Sequence, residues 1–93
     1  MSLSTPATID AVMVRDGWAV VAIYHFDGWD DPDALTELLR HKLATVESFV
    51  RSPSFLSRFH RSPVAVELNC SDAPPASVLD VCRRAGVRVP GFD

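Results

Sequence analysis

Glycine is scarce in this sequence, with four among 93 residues, and none of the four belongs to a phosphate-binding loop. The chain also lacks the serine elbow of hydrolases, the HExxH signature of zinc proteases and cysteines at zinc-binding spacing. No remaining pattern supports nucleophilic catalysis. The sequence therefore predicts no catalytic residues, no metal and no cofactor.

Long hydrophobic runs are absent as well. The longest apolar stretch, residues 18–24, is far shorter than the roughly 20 residues of a membrane-spanning helix. No basic segment followed by an apolar one opens the chain, so we expect a cytoplasmic protein without membrane contact. We expect a single domain over residues 1–93, with residues 1–8 frayed as a short polar lead-in.

Only two cysteines are present, Cys70 and Cys82, and each falls on the apolar side of its predicted element. Two buried, reduced thiols are the simpler interpretation. A disulfide between them is the alternative, which a cytoplasmic setting disfavours.

The chain has no excess of basic charge, since its net charge is −3. The distribution is uneven: residues 1–37 hold seven acids and one base, whereas residues 38–93 hold eight bases and five acids. Such an acidic first part argues against general binding of nucleic acid. It favours a basic partner if the chain binds another protein.

A β-hairpin is indicated near the start of the chain. Residues 9–15 and 18–26 predict two strands, joined by Asp16-Gly17, the dipeptide typical of type I′ turns. We assign the more aliphatic hairpin face to the helices; it carries Val12, Val14, Val21 and Ile23. The other face then stays partly exposed, with Met13, Trp18, Val20 and Tyr24. An apolar exposed sheet face predicts self-association, most simply as a homodimer.

The strongest single prediction is an amphipathic helix that begins at Pro32. Asp31 is suited to the N-cap and Pro32 to the first helical position. Apolar residues then recur at steps of three and four as far as Val50, and Ser52-Pro53 ends the helix.

The second half predicts a loop over residues 52–63, whose Phe55 and Phe59 fold back onto the core. A half-buried strand over 64–70, a helix over 76–85 capped by Gly86, and a short strand over 87–89 follow. The order ββαβαβ predicts an α+β fold: a two-layer sandwich with a mixed sheet of three to four strands and two helices on one face.

Polar and aromatic side chains cluster just before the main helix. We name this the rim; it consists of His25, Asp27, Trp29 and Asp30. A histidine beside carboxylates suits metal binding or general-base chemistry, although turn formation accounts for part of the same set and the spacing does not fit an EF-hand loop. We interpret the rim as a surface that contacts a partner. A small metal- or ligand-dependent enzyme that uses His25, Asp27 and Asp30 is the alternative.

Two further features are candidates for polar contacts. The basic residues Arg58, His60 and Arg61 favour a solvated loop, with contact to phosphate or nucleic acid as another alternative. Asp10 is a carboxylate within an apolar strand, so it needs a donor if it is buried. His25, about two residues from the direct cross-strand position on the same face, is one candidate donor.

Several motifs together resemble a family of small bacterial proteins described only as a domain of unknown function. They are Ile9-Asp10, the hairpin, an apolar strand that runs into Trp29-Asp30, and the long helix. The Pro74-Pro75 pair and Ala85-Gly86-Val87 are compatible with it. The family has no established activity, so the resemblance implies a fold and no function. Our leading expectation is a non-catalytic interaction or accessory protein, of which an immunity-like or antitoxin-like role is one form.

Overall fold

The computed structural model describes residues 2–92, which form an α+β fold with a three-stranded mixed sheet and three helices. A 3-10 turn at Ser2–Ser4 precedes the strands β1 (Ala11–Arg15) and β2 (Trp18–His25). The helices α1 (Pro32–Val50) and α2 (Pro53–Phe59), the strand β3 (Val64–Cys70) and the helix α3 (Ala76–Ala85) follow. The sheet order is β1-β2-β3, with β1 antiparallel to β2 and β3 parallel to it.

The hairpin forms as predicted. Asp16 and Gly17 have φ values of 53° and 84°, the positive values that a type I′ turn requires at both central positions. The turn fixes the register, so that Arg15 lies opposite Trp18 and Met13 lies opposite Val20.

The main helix also matches the prediction. The Asp31 carboxylate accepts a hydrogen bond from the Ala34 N–H at 3.3 Å, and Pro32 occupies the first turn. On the solvent side, Arg40 lies 3.5 Å from Glu37, an ion pair at the spacing of helical neighbours.

The predicted loop after α1 is wrong in part, because it contains the short helix α2. Ser52 Oγ accepts from the Phe55 N–H at 3.3 Å, and Pro53 takes the first helical position. The Ser-Pro pair that ends one helix is therefore also a complete signal for starting the next. Phe55 is buried in the core and Phe59 is half-buried, as expected.

The predicted final strand is the second difference. Within the described part of the chain, residues 87–89 form a single parallel bridge, in which Arg88 N–H donates to Val66 O at 3.0 Å and Leu68 N–H donates to Arg88 O at 2.8 Å. Pro90 follows, and proline has no N–H with which to extend a ladder. The observed order is thus ββααβα rather than ββαβαβ.

The core combines alternate residues of β2 with residues of the helices. Its buried members include Ala19, Val21, Ile23, Leu39, Val46, Leu68, Val78 and Cys82. The face assignment is therefore correct for Val12, Val21 and Ile23, which belong to this core or pack against it. It is wrong for Val14, which is 64% exposed because it lies near the end of the outer strand.

Two residues near the start of the chain contact the rest of the fold. Leu3 is 0% exposed and belongs to the core, while Pro6 O accepts a hydrogen bond from Thr45 Oγ1 at 2.6 Å. We expected residues 1–8 to be frayed; Leu3 and Pro6 make these contacts, and the fraying itself stays a prediction. Met1 lies outside the described residues.

Candidate functional site

His25 is the innermost residue of the rim. It ends β2, the central strand, and only 3% of its surface is exposed. Its Nε2–H donates to the Gly28 carbonyl at 3.1 Å, and its ring lies 4.3 Å from the Trp29 ring, centroid to centroid. Nδ1 is buried and has no hydrogen-bond partner in the described chain. His25 therefore makes no hydrogen bond to a carboxylate of residues 2–92.

Trp29 links the rim to the loop that follows β3. Its Nε1–H donates to the Asp72 carbonyl at 3.1 Å, across the gap between the end of β2 and the end of β3. Ser71 Oγ donates to Phe26 O at 3.2 Å and joins the same two loops a second time. Trp29 therefore helps to hold the end of β2 and the end of β3 together.

The two remaining rim residues, Asp27 and Asp30, are exposed. Together with His25 they line a cleft of about 270 Å³ at the N-terminus of α1. The structure thus brings three of the four rim residues to one cleft, whereas Trp29 is not among the residues that line it.

Cys70 lies beside this group, since it is the register partner of His25 on β3. Burial, and then the negative charge of Asp72, raise the pKa of the Cys70 thiol. The thiol is therefore held in its protonated, weakly nucleophilic form at neutral pH. Neither Cys70 nor Cys82 is joined in a disulfide, and Cys82 is buried.

Metal chemistry has little support at the rim. Among the residues that the structure describes, no group of three or more His, Cys, Asp or Glu is placed to hold a metal ion. The general-base form of the enzyme hypothesis depends on His25, whose water-accessible surface is almost entirely covered. The contact-surface interpretation needs only the exposed carboxylates.

The basic residues Arg58, His60 and Arg61, in the last turn of α2 and just after it, are exposed and contact their own neighbours. The Arg58 guanidinium lies 5.0 Å from the centre of the Phe59 ring, and Arg61 Nε–H donates to His60 Nε2 at 3.3 Å. Because Phe55 is in the core, it is not available to stack on a base. The prediction of an anion contact here thus rests on exposed charge alone.

One arginine crosses the open face of the sheet, which lies opposite the core. Arg15 donates to Glu67 Oε2 at 2.8 Å and to Met13 Sδ at 3.3 Å, so its guanidinium crosses over β2 from β1 to β3. Val20, beneath this crossing, is buried. We expected an exposed apolar face that included Val20, but Val20 is buried. Trp18, at the end near the turn, remains exposed.

Comparison with family models, with curated proteins and with solved structures finds no match for this chain. None of the helices in the described range is both long enough and apolar enough to cross a membrane.

The most buried charged group was missed by sequence reasoning. Lys42 is 0% exposed and its Nζ donates to Asp10 Oδ1 at 2.8 Å, to Thr5 O at 3.1 Å and to Thr8 O. The Asp10 carboxylate also accepts from the Tyr24 N–H at 3.1 Å. Asp10 does need donors, as expected; they include Lys42 and the Tyr24 amide, and His25 is not among them.

A usable signal for Lys42 was present in the sequence. It lies three residues after Leu39 and four before Val46, within the apolar stripe of α1. A lysine at such a position is either extended to solvent or paired inside. The carboxylate of Asp10, which also lies within an apolar segment and needs a donor, indicates that Lys42 is paired inside the protein.

Proposed function

We propose that this chain is a non-catalytic interaction module that forms a homodimer through the outer edge of β1. The observation that carries the proposal is that β1, an edge strand, lacks the features that usually prevent an edge strand from pairing with another chain. Its five residues, AVMVR, contain no proline, glycine or lysine, and each pairs one-to-one with β2. Its only charged residue, Arg15, extends across the sheet to Glu67, so the charge of Arg15 does not lie along the outer edge of β1.

The turn geometry fixes which backbone groups face outward. In a two-residue hairpin, the residues that flank the turn form a hydrogen-bonded pair, so Arg15, Met13 and Ala11 direct their N–H and C=O groups toward β2. Val12 and Val14 then direct theirs away from the sheet. A twofold axis at Met13 would place Val12 opposite the partner's Val14 and pair the two β1 strands antiparallel.

The exposed side chains of this region fit such a pairing. Val14 is the most exposed large hydrophobic residue of the part that the structure describes, and it lies on the unpaired strand. Trp18 and Val64, also exposed, lie on the strands beside it at the same end of the sheet. Because one five-residue edge makes a small interface, we expect a weak and reversible dimer.

Sedimentation equilibrium of wild-type protein and of Val14→Glu tests the proposal. Wild type should shift from monomer to dimer between low and high micromolar concentration. Val14→Glu should stay monomeric, because the variant places a charge opposite an apolar strand residue in each half of the dimer. Its fold should be unchanged, since Val14 is 64% exposed in the single chain.

Leu56→Glu is the matched control. Leu56 is also an exposed aliphatic residue, at 49%, but it lies on α2 and not on β1. This variant should dimerise like wild type. Equal loss of dimer in both variants, or a wild type that stays monomeric throughout the range, would contradict the proposed interface.

The proposal extends to a second contact surface. Asp27 and Asp30 are exposed and form no ion pair with a described residue, which supports contact with a basic protein of the kind that an immunity-like or antitoxin-like protein binds. We include in the proposal a cytoplasmic setting and membership of the family of unknown function that the sequence resembles. We also include a two-layer arrangement, supported by a core that takes only alternate residues of β2.

A further inference from the structure

His25 holds a buried ring nitrogen that lacks a hydrogen-bond donor. Its Nε2 lies 3.1 Å from the Gly28 carbonyl, which only accepts, so Nε2 carries the ring proton and Nδ1 carries a lone pair. Nδ1 is the one buried side-chain nitrogen or oxygen atom without a partner among residues 2–92. Buried polar atoms nearly always have a partner in the native state, so this exception calls for a donor from outside the described chain.

The cleft that His25 lines at the N-terminus of α1 carries negative charge without a matching cation. Asp27 and Asp30 line it, are exposed, and form no ion pair with a described residue. Asp31 lines it as well, although one of its carboxylate oxygens caps the helix. The lining includes no lysine or arginine. The cleft therefore suits a ligand that carries positive charge and donates hydrogen bonds.

We propose that this cleft receives the primary ammonium group of a lysine side chain from a partner protein. The inference rests on the contact between the rim and a basic protein proposed above, and it names the group that makes that contact. An ammonium carries three N–H donors on one atom, which match the Asp27 carboxylate, the Asp30 carboxylate and His25 Nδ1. A guanidinium instead presents its donors in a fixed plane that suits a single carboxylate.

The two carboxylates and the ring nitrogen have different parts in this recognition. Asp27 and Asp30 are exposed and attract any cation. His25 is only 3% exposed, so its hydrogen bond to the ammonium requires a shift of the side chains around the ring. Such side-chain rearrangement is common when an interface forms. A quaternary ammonium of equal charge has no N–H group, so it should bind less tightly than lysine.

The binding test is an NMR titration of the isotope-labelled full chain with four blocked glycine-X-glycine peptides. The probe has lysine at the central position, and the controls have trimethyl-lysine, arginine or norleucine. The lysine peptide should shift the amides of Gly28, Asp30 and Ala34 and the Nδ1 resonance of His25. It should bind roughly threefold or more tightly than the trimethyl-lysine and arginine peptides, the effect of one modest hydrogen bond. The uncharged norleucine peptide should cause no shift.

Matched variants assign the contacts. Asp27→Asn and Asp30→Asn should each weaken binding of the lysine peptide about threefold or more, because each removes one charged acceptor. Asp33→Asn is the control, since Asp33 lies in the first turn of α1 but does not line the cleft. His25→Gln retains an N–H donor for the Gly28 carbonyl and removes the ring lone pair. This variant should therefore bind the lysine and trimethyl-lysine peptides with more similar affinities than wild type does.

Three results would overturn the proposal: equal binding of the lysine and trimethyl-lysine peptides, undiminished binding by the variant Asp27→Asn/Asp30→Asn, or an unchanged Nδ1 resonance at saturation. The last result is read from wild type, so it does not depend on the folding of His25→Gln, and it would leave an ordered water as the donor to Nδ1.

The lysine inference and the broader proposal can fail separately. Tighter binding of the arginine peptide would overturn the lysine site and leave the contact with a basic protein standing. Failure of every charged peptide to bind would contradict both. The dimer is independent of this site, because Val14 does not line the cleft, and Val14→Glu should bind the lysine peptide like wild type.

Discussion

Asp10→Ala is expected to destabilise the protein by about 3–5 kcal/mol, the cost typical of leaving one member of a buried ion pair without the other. Lys42 has no surface exposed to water, so its ammonium cannot recover hydration when the carboxylate is removed. Two backbone carbonyls would remain as acceptors, but neither neutralises the charge. Urea denaturation at neutral pH measures the loss as a change in the free energy of unfolding.

The double variant Asp10→Ala/Lys42→Met separates the ion pair from simple packing. Methionine fills much of the same volume without a charge, so the double variant should recover a large part of the stability that Asp10→Ala loses. The two substitutions should therefore be strongly non-additive. A loss below about 1 kcal/mol for Asp10→Ala, within the ordinary range of point variants, would show that the pair does not hold the fold as described.

Leu3→Ala should cost about 2–5 kcal/mol, as for other fully buried leucines. The expectation is unusual for the third residue of a chain, since chain ends are commonly poorly ordered. It follows here because Leu3 is 0% exposed and contacts the same core as β2 and α1. The measurement is again urea denaturation, at a protein concentration at which the chain is monomeric.

Leu56→Ala provides the comparison, because it makes the same chemical change at a side chain that is 49% exposed. It should alter stability by less than about 1 kcal/mol, in keeping with a surface position. If Leu3→Ala costs no more than Leu56→Ala, the N-terminal segment is not part of the core.

The locally encoded features of this fold could be predicted from the sequence. Asp16-Gly17 determines its turn by backbone preference, and Asp31-Pro32 determines the start of α1 by capping; neither depends on distant residues. The helix over 76–85 and its Gly86 cap were predictable for the same reason. The short helix α2 differs from the predicted loop because Ser52-Pro53, which ends α1, also meets the requirements for starting a helix.

Features that depend on distant partners could not be obtained in this way. Whether Lys42 is buried depends on the carbonyls of Thr5 and Thr8, which lie more than 30 residues away in sequence. The hydrogen bond from Arg15 to Glu67, across the open sheet face, joins residues that are 52 positions apart in sequence. Helical spacing and strand alternation carry no information about such contacts.

Among the candidate sites, the rim could be predicted from the sequence. The rim residues were found because a histidine, a tryptophan and several carboxylates remained after capping and turns had been assigned. The structure brings His25, Asp27 and Asp30 to one cleft, and the prediction of a partner contact there stays a prediction.

The most direct test of the β1 dimer is backbone hydrogen exchange at Val12 and Val14, measured by NMR at low and high protein concentration. In the single chain these two amides point away from the sheet, whereas the Met13 amide is bonded within the hairpin. The account predicts that Val12 and Val14 become protected from exchange as the dimer forms, while Met13 is protected at both concentrations. If Val12 and Val14 exchange rapidly in samples that sediment as dimers, the chain does not associate through this edge.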